Sequence, residues 1–288
     1  MYDIIYAGDD MTTGNVRFNE IPEIGFIHQF YSLDYGAKYG KNRIKCIEIV
    51  YVNSGSIRIK FEKEQMHAEK GDIMVLFRHL PIQTETFGSE LNSHCTVLAE
   101  FSNYEFSIVS DGDNCDGGFV IPFVTKSCRE CEEIGKRLYK MASIKANTDE
   151  DNGLLLSVEF LAILKELHEI NKKQITKNKA YKVICNKVCA YIDENKGKNI
   201  TLTEIANHIG KSPNHISHAF KSEKGVTVTE YMNIQRVKEI KSLMQSGKSF
   251  KEACITSGLC DETYGYRLFR KYVGITPKEY MTITTLKK

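Results

Sequence analysis

The side chains best suited to chemistry in this chain are nine cysteines and eight histidines, and their spacing limits what they can do. Cys128-x-x-Cys131 and Cys185-x-x-x-Cys189 are each a single pair at helical spacing, with no partner pair to complete a tetrahedral metal site. His28, His67, His79 and His94 are isolated in sequence, with no H-x-H pair, whereas a metal site needs clustered ligands. The residue types therefore call for no metal, no other cofactor and no catalytic residue. The odd number of cysteines, scattered through the chain, suits reduced thiols better than a disulfide framework.

The distribution of charge is more informative than its total of +2. Residues 1–176 hold 19 Lys and Arg against 27 Asp and Glu, a net of −8, and residues 177–288 hold 20 against 10, a net of +10. An acidic front and a basic back imply two modules with different partners, the basic one facing a polyanion. A length of 288 residues suits two domains. No apolar run approaches the roughly 20 residues of a membrane span. The acidic start, Met1 to Asp10, lacks the basic region of a secretory signal, so the expected location is cytoplasmic.

The elements follow from periodicity. Between Ile44 and Phe101 short alternating runs, Ile44–Val52, Ile57–Phe61, Ile73–Phe77 and His94–Phe101, are separated by turn signals at Asn53–Ser56 and Lys70–Asp72. This pattern predicts an antiparallel barrel or sandwich over residues 1–125. After Pro122 the period becomes helical, with Ile134, Leu138 and Met141 in one stretch. Leu155, Val158, Leu161, Leu164 and Leu167 mark a second. These residues, 126–172, form a helical segment that could pack on the barrel or on a second subunit. The polar stretch 173–179 reads as a linker.

Residues 180–288 contain a repeat. Thr201–Tyr231 and Ser249–Tyr280 pair Thr201 with Ser249, Glu204 with Glu252 and Gly210 with Gly258 at an offset of 48. After one inserted residue, Phe220 pairs with Phe269 and Tyr231 with Tyr280 at 49. Thr201-x-x-Glu204 and Ser249-x-x-Glu252 are capping boxes that open a helix, and Gly210 and Gly258 stand where it stops. Ser212, followed by Pro213, caps a second helix, and Asp261 is its counterpart in the second copy. In that helix Ile216, Ala219 and Phe220 point inward while Asn214, Ser217, His218 and Lys221 face out. Two such units, about 201–225 and 249–274, follow the helix-turn-helix plan. Between them, Thr227-x-x-Glu230 opens a spacer helix whose expected inward stripe is Tyr231, Ile234, Val237, Ile240 and Leu243.

The ordered set Leu202, Ala206, Gly210, Ser212, Ile216, Phe220, Lys221, Gly225, Tyr231 and Arg236 resembles the DNA-binding domain of the AraC family of bacterial regulators. The match continues through Gly258, Tyr264, Phe269, Lys271, Gly274 and Pro277-x-x-Tyr280. The resemblance implies that Ser212, Pro213, Asn214, Ser217 and His218 in the first unit, and Glu262, Thr263, Tyr266 and Arg267 in the second, meet DNA. Lys221 and Arg270 are better placed for phosphates. This sequence departs from the family pattern at Gly265, where a bulky apolar residue is usual, at Cys254, where a small one is usual, and at Leu259-Cys260. Glycine inside a helix costs about 1 kcal/mol relative to alanine, so the second unit is expected to be looser and Gly265→Ala to stabilise it. A close approach of another backbone at Gly265 would reverse that expectation.

The strand-rich front resembles the cupin-like sensor domain that precedes many such DNA-binding domains, carried by Glu48–Val52, Ser54-Gly55, Gly71–Leu76 and Pro81. The expected fold is therefore α+β, a cupin-like antiparallel β-barrel with a helical dimerisation segment, followed by an all-α domain with two helix-turn-helix motifs. The implied partners are double-stranded DNA, a small-molecule effector such as a sugar, a second copy of the chain and RNA polymerase, with no membrane. Candidate effector contacts are His28, Tyr31, Glu48, Arg78 and His79. The alternative is a cupin-type metalloenzyme fused to a DNA-binding module, which would need stoichiometric metal.

Overall fold

A computed structural model describes residues 12–32, 36–38, 45–109, 118–147 and 152–285. The described residues divide into two compact units, one within residues 12–175 and one within residues 176–285. Ile44, at the start of one expected strand, lies outside the described residues.

The first unit is built from strands β1 (Thr13–Phe18), β2 (Glu23–Ser32), β3 (Gly36–Lys38), β4 (Lys45–Ser54), β5 (Ser56–Phe61) and β6 (Glu64–Glu69). It continues with β7 (Ile73–Phe77), β8 (Ile82–Thr86), β9 (Asn92–Phe101), β10 (Tyr104–Val109), β11 (Phe119–Pro122) and β12 (Val124–Thr125). They pair into three sheets in the orders β10-β1-β11, β12-β7-β4-β9-β2 and β3-β8-β5-β6, and all the pairings are antiparallel. The ladders among the described residues thus give a strand-rich domain of three antiparallel sheets and do not show a closed barrel. β5 shows the simple case, with Ile57, Ile59 and Phe61 buried and the intervening side chains partly exposed. β7 is buried along its whole length, which is why its sequence shows no alternation.

Helix α1 (Arg129–Asn147) covers part of the five-stranded sheet, against β2, β4 and β9, through Cys131, Ile134, Leu138 and Met141. Each such burial contributes roughly 1.5–3 kcal/mol. Helix α2 (Gly153–Glu194) adds Leu156, Phe160, Ile163, Leu164 and Leu167 to the same core. Arg137 joins the two helices by ion pairs of 2.6 Å to both Glu159 and Glu166. Residues 173–179 are helical, part of α2, and not an irregular linker. Polar composition alone did not break the helix there, because the stretch contains neither proline nor glycine.

The second unit holds α3 (Leu202–Ile209), α4 (Pro213–Lys224), α5 (Val228–Gln245), α6 (Phe250–Thr256), α7 (Glu262–Val273) and α8 (Pro277–Thr285). Reciprocal capping boxes open α3, α5 and α6: Glu204, Glu230 and Glu252 accept from the backbone of Thr201, Thr227 and Ser249 at 2.6, 2.9 and 2.9 Å. Thr276 and Glu279 form the same box before α8, at 2.7 Å. These bonds hold the four carboxyls below their usual range.

Two cores form here, one per helix-turn-helix. The first gathers Ile205, Ala206, Ile216, Ala219 and Phe220 with Ile184, Cys185, Val188 and Ile192 of α2. The second gathers Ala253, Cys254, Leu259, Leu268 and Phe269. Helix α5 feeds both, with Val228 and Met232 in the first and Val237, Ile240 and Met244 in the second. The expected single stripe is therefore wrong in part: Tyr231, Ile234 and Leu243 are only half-buried, since a helix between two cores presents two faces.

Gly265 explains the departures from the family pattern. An added Cβ at this buried glycine would lie 2.6 Å from Cys254 Sγ and 3.4 Å from Leu259 Cδ1. The obstacle is a side chain and not a backbone, as the close-approach alternative had it. The first helix-turn-helix fills the equivalent space with Ala206 and Ile216, small then large, and the second with Cys254 and Gly265, larger then smallest. Gly265→Ala should lower the thermal midpoint, because overpacking costs about 1–3 kcal/mol against the roughly 1 kcal/mol gained in helix propensity. In a Cys254→Ala background the same substitution should raise it. Differential scanning calorimetry of the four-protein cycle checks this, and equal effects in both backgrounds would refute the coupling.

Candidate nucleic-acid interface and interior polar array

The helix-turn-helix geometry is set at its corners. Gly210, at φ 72°, ends α3, and Ser212 Oγ accepts from the His215 backbone at 3.2 Å to open α4. In the second unit Gly258 has φ 78° and its Cα faces the backbone of Lys198, where a Cβ would stand 2.8 Å from the carbonyl oxygen. No other residue satisfies both demands there. Asp261 then caps α7, accepting from Thr263 and Tyr264 at 2.9 and 3.1 Å, bonds that hold its carboxyl below the usual range.

With these corners set, α4 presents Pro213, Asn214, His218 and Lys221 exposed and Ser217 half-buried beside them. Helix α7 presents Glu262, Thr263, Tyr266, Arg267 and Arg270, all exposed. Tyr266 rests edge-on against Phe250 of α6, at 6.4 Å between ring centres. Each helix thus turns one polar face to solvent while its apolar face holds it in a core.

One neighbour of this surface has no signal in the repeat. Tyr181 of α2 places its hydroxyl 3.2 Å from His218 Nδ1, and its ring lies edge-on to both His215 and His218. Lys177 Nζ sits 5.4 Å from the Tyr181 ring centre. The contact joins residues 37 apart, so local spacing could not announce it.

In the first unit the five candidate effector residues separate. Glu48, 2% exposed, pairs with Arg78 at 2.9 Å from Nε to Oε2. His28 lies close enough to feel both: burial lowers its pKa most, Glu48 opposes that and Arg78 adds to it. Register sets His28 opposite Thr96 and Glu48 opposite Leu98, so β2 and β4 flank one face of β9. Tyr31 stands at the other parity of β2, is 61% exposed, and so lies on the opposite face from His28. His79 belongs to an aromatic group, paired to the Tyr104 hydroxyl at 2.8 Å and flanked by Phe106 at 5.0 Å.

The same face of β9 brings in residues that sequence spacing set aside. His94, 1% exposed, lies 5.9 Å from His28 between ring centres, stacks on Phe30 at 4.9 Å and meets Asn92 Oδ1 at 2.8 Å. Burial, then the positive charge on His28, push its pKa down to about 4, so it is neutral near pH 7. His28 Nδ1 and Thr96 Oγ1 are buried with no hydrogen-bond partner among the described residues. Among the described residues no group of three or more His, Cys, Asp and Glu side chains is placed to hold a metal ion. No helix described is long and apolar enough to cross a membrane.

Residues 205–283 match the family described as "Helix-turn-helix domain". The bifunctional transcriptional activator/DNA repair enzyme AdaA of Bacillus subtilis (strain 168) is 31% identical over 102 residues, 35% of this chain and 48% of that protein. The arabinose operon regulatory protein of Escherichia coli (strain K12) is 28% identical over 94 residues, 32% of each chain. A crystal structure of a transcriptional regulator with an AraC-type DNA-binding domain, from Chromobacterium violaceum, is 20% identical and covers 34% of this chain and 89% of that one, with a TM-score of 0.33. The chain spans less than half the length of these two curated relatives. The sequence match and the paired, separately cored motifs agree: residues 205–283 form a helix-turn-helix domain, similar to the matching segments of the AdaA and arabinose operon regulators.

Proposed function

We propose that this chain is a cytoplasmic transcription regulator that reads duplex DNA through α4 and α7 and responds to a small molecule bound in its strand-rich domain. The observation that carries this reading is the duplicated motif, two solvent-facing polar helix faces in a segment of net charge +10. Asn214, Ser217 and His218 of α4, and Glu262, Thr263, Tyr266 and Arg267 of α7, supply base-edge donors and acceptors. Ser212 and Pro213 hold the start of α4, and Lys221 and Arg270 neutralise phosphates.

Tyr181 has a part in this readout. A phenol that donates to His218 Nδ1 leaves the proton of neutral imidazole on Nε2, directed away from Tyr181. His218 then offers a donor, suited to an acceptor edge such as guanine O6 or N7. The effector reading rests on His28, Glu48, Arg78, His94 and Thr96. Buried polar atoms without partners, beside an ion pair, suit a small ligand rich in hydroxyls, of the sugar type. Tyr31 and His79 lie apart from that group and are left out of it.

The strand-rich domain also bears an uncovered apolar stripe at the start of α2, where Leu154, Leu155 and Val158 are 66, 57 and 53% exposed. We assign it to a homodimer contact. Leu164 and Leu167 of the same helix face their own core, and Leu161 is half-buried against it, so of the stretch expected from periodicity only the first part, Leu155 and Val158, belongs to the seam.

Duplex binding by the full chain should weaken steeply with salt, and Lys221→Ala should reduce the slope of log K against log salt by about one at every site. His218→Ala and Arg267→Ala should instead relax sequence preference at separate base pairs, read by binding to a randomised duplex library. A uniform loss for both would make them positioning contacts, and an absence of sequence-selective binding at low salt would overturn the assignment. Tyr181→Phe should cost about 1 kcal/mol of discrimination at the His218 base pair while leaving the salt slope intact. Unchanged discrimination would remove Tyr181 from the readout. Leu155→Lys should shift the chain from dimer to monomer in sedimentation velocity without lowering its thermal midpoint. A monomeric parent protein would dismiss the seam.

A further inference from the structure

Neither DNA reading nor effector binding uses Cys128 and Cys131. The Cys128 carbonyl accepts from the Glu132 backbone at 3.2 Å, which makes Cys128 the N-cap of α1 and Cys131 the third residue of its first turn. This is the relation that Thr or Ser and Glu occupy in the capping boxes of α3, α5 and α6. Here it brings two reduced sulfurs to 3.2 Å from one another. Cys128 is half-buried, whereas Cys131 is fully buried and its thiol donates to the Lys126 carbonyl at 3.5 Å.

The segment that holds the pair is pinned. Lys126 Nζ donates to Asp72 and to the His67 carbonyl, both at 2.8 Å, and the Ser127 backbone donates to Asp72 at 2.8 Å. The sulfurs are thus held together by a fixed turn and not by chance rotation. One reachable sulfur at a helix N-terminus, with a second shielded behind it, is the arrangement that thiol–disulfide exchange requires.

We propose that Cys128 and Cys131 form a reversible intramolecular disulfide by exchange with a low-molecular-weight disulfide such as oxidised glutathione. The Cys128 thiolate attacks one sulfur of the small disulfide, breaks its S–S bond and releases one thiolate, leaving a mixed disulfide on Cys128. Cys131 then gives up its proton, attacks Cys128 Sγ and expels the second small thiolate. The two cysteines lose two electrons, the small disulfide gains them, and the two protons end on the released thiols. Burial and the neighbouring Cys128 raise the Cys131 pKa well above that of an ordinary thiol, which makes it a poor leaving group.

The test equilibrates the full-length chain in glutathione buffers of graded ratio, traps free thiols with a maleimide after acid quench, and maps peptides by mass spectrometry. A Cys128–Cys131 linkage, 2 Da lighter, should appear as the buffer becomes oxidising and revert in excess dithiothreitol. Cys131→Ser should stop at a glutathione adduct on Cys128, and Cys128→Ser should leave Cys131 unmodified. The proposal is overturned if the wild-type chain stops at the Cys128 adduct, or if both thiols stay free in oxidised glutathione. Stoichiometric zinc released on maleimide treatment would also overturn it, since the pair would then be metal ligands. None of these readouts depends on DNA binding.

Discussion

The arrangement of the C-terminal domain depends on one helix being shared by two hydrophobic cores. Val228 and Met232 fix α5 against α4, and Val237, Ile240 and Met244 fix it against α6 and α7. Each helix-turn-helix alone could bury only a few side chains, too little to offset the entropy of ordering its chain. A common strut lets both cores close and sets α4 and α7 in fixed relation. Duplex DNA presents equivalent major-groove segments at a fixed repeat, so two heads are useful only when such a strut holds them. The burial of α5 on two faces is thus the physical condition that the proposed two-site recognition would need.

What could be read from sequence follows from how local each signal is. Capping boxes at Thr201, Thr227 and Ser249, the proline at 213 and the glycine at 210 act over three or four residues, and they place the starts of α3, α4, α5 and α6 and the end of α3. The strand-rich domain is different, because its contacts are long-range. His28 and His94 stand on neighbouring strands but 66 positions apart, and nothing in either local pattern joins them. The same holds for Tyr181 and His218. Alternation did mark β5 and the start of β9, but β7 is buried on both faces and β2 mixes exposed and half-buried residues. Position along β2 could not say which side of the sheet Tyr31 would take until the register with β9 was known.

Gly265 shows how a misfit to a pattern can be a local solution. Taken singly, a glycine inside α7 lowers helix propensity and a cysteine at position 254 enlarges a small-residue site. Taken together they exchange volume across one contact, and the second core closes with Leu259, Leu268 and Phe269 fully packed. The propensity loss of about 1 kcal/mol remains, but no cavity term is added to it. A core tolerates such exchanges when total volume is kept, so the departures do not argue against a structured second head.

The buried polar group of the first unit follows the opposite logic. A buried Glu48 paired with a half-buried Arg78 gains little over a well-packed apolar pair, because desolvation offsets most of the Coulomb attraction. His94 is held neutral by its surroundings, and His28 Nδ1 and Thr96 Oγ1 leave hydrogen-bonding capacity unused, each at a cost a purely structural core would avoid. Ile49, Val97 and Val75 at neighbouring positions show that this sheet packs apolar side chains without difficulty. Polar groups of this kind lower the stability of the domain, and the small ligand proposed for it would recover that stability by completing their hydrogen bonds. Binding and stability are then linked by mass action, so that occupancy of the site changes the free energy of the domain. That linkage is the physical basis on which the sensing role proposed for this domain would report a small molecule.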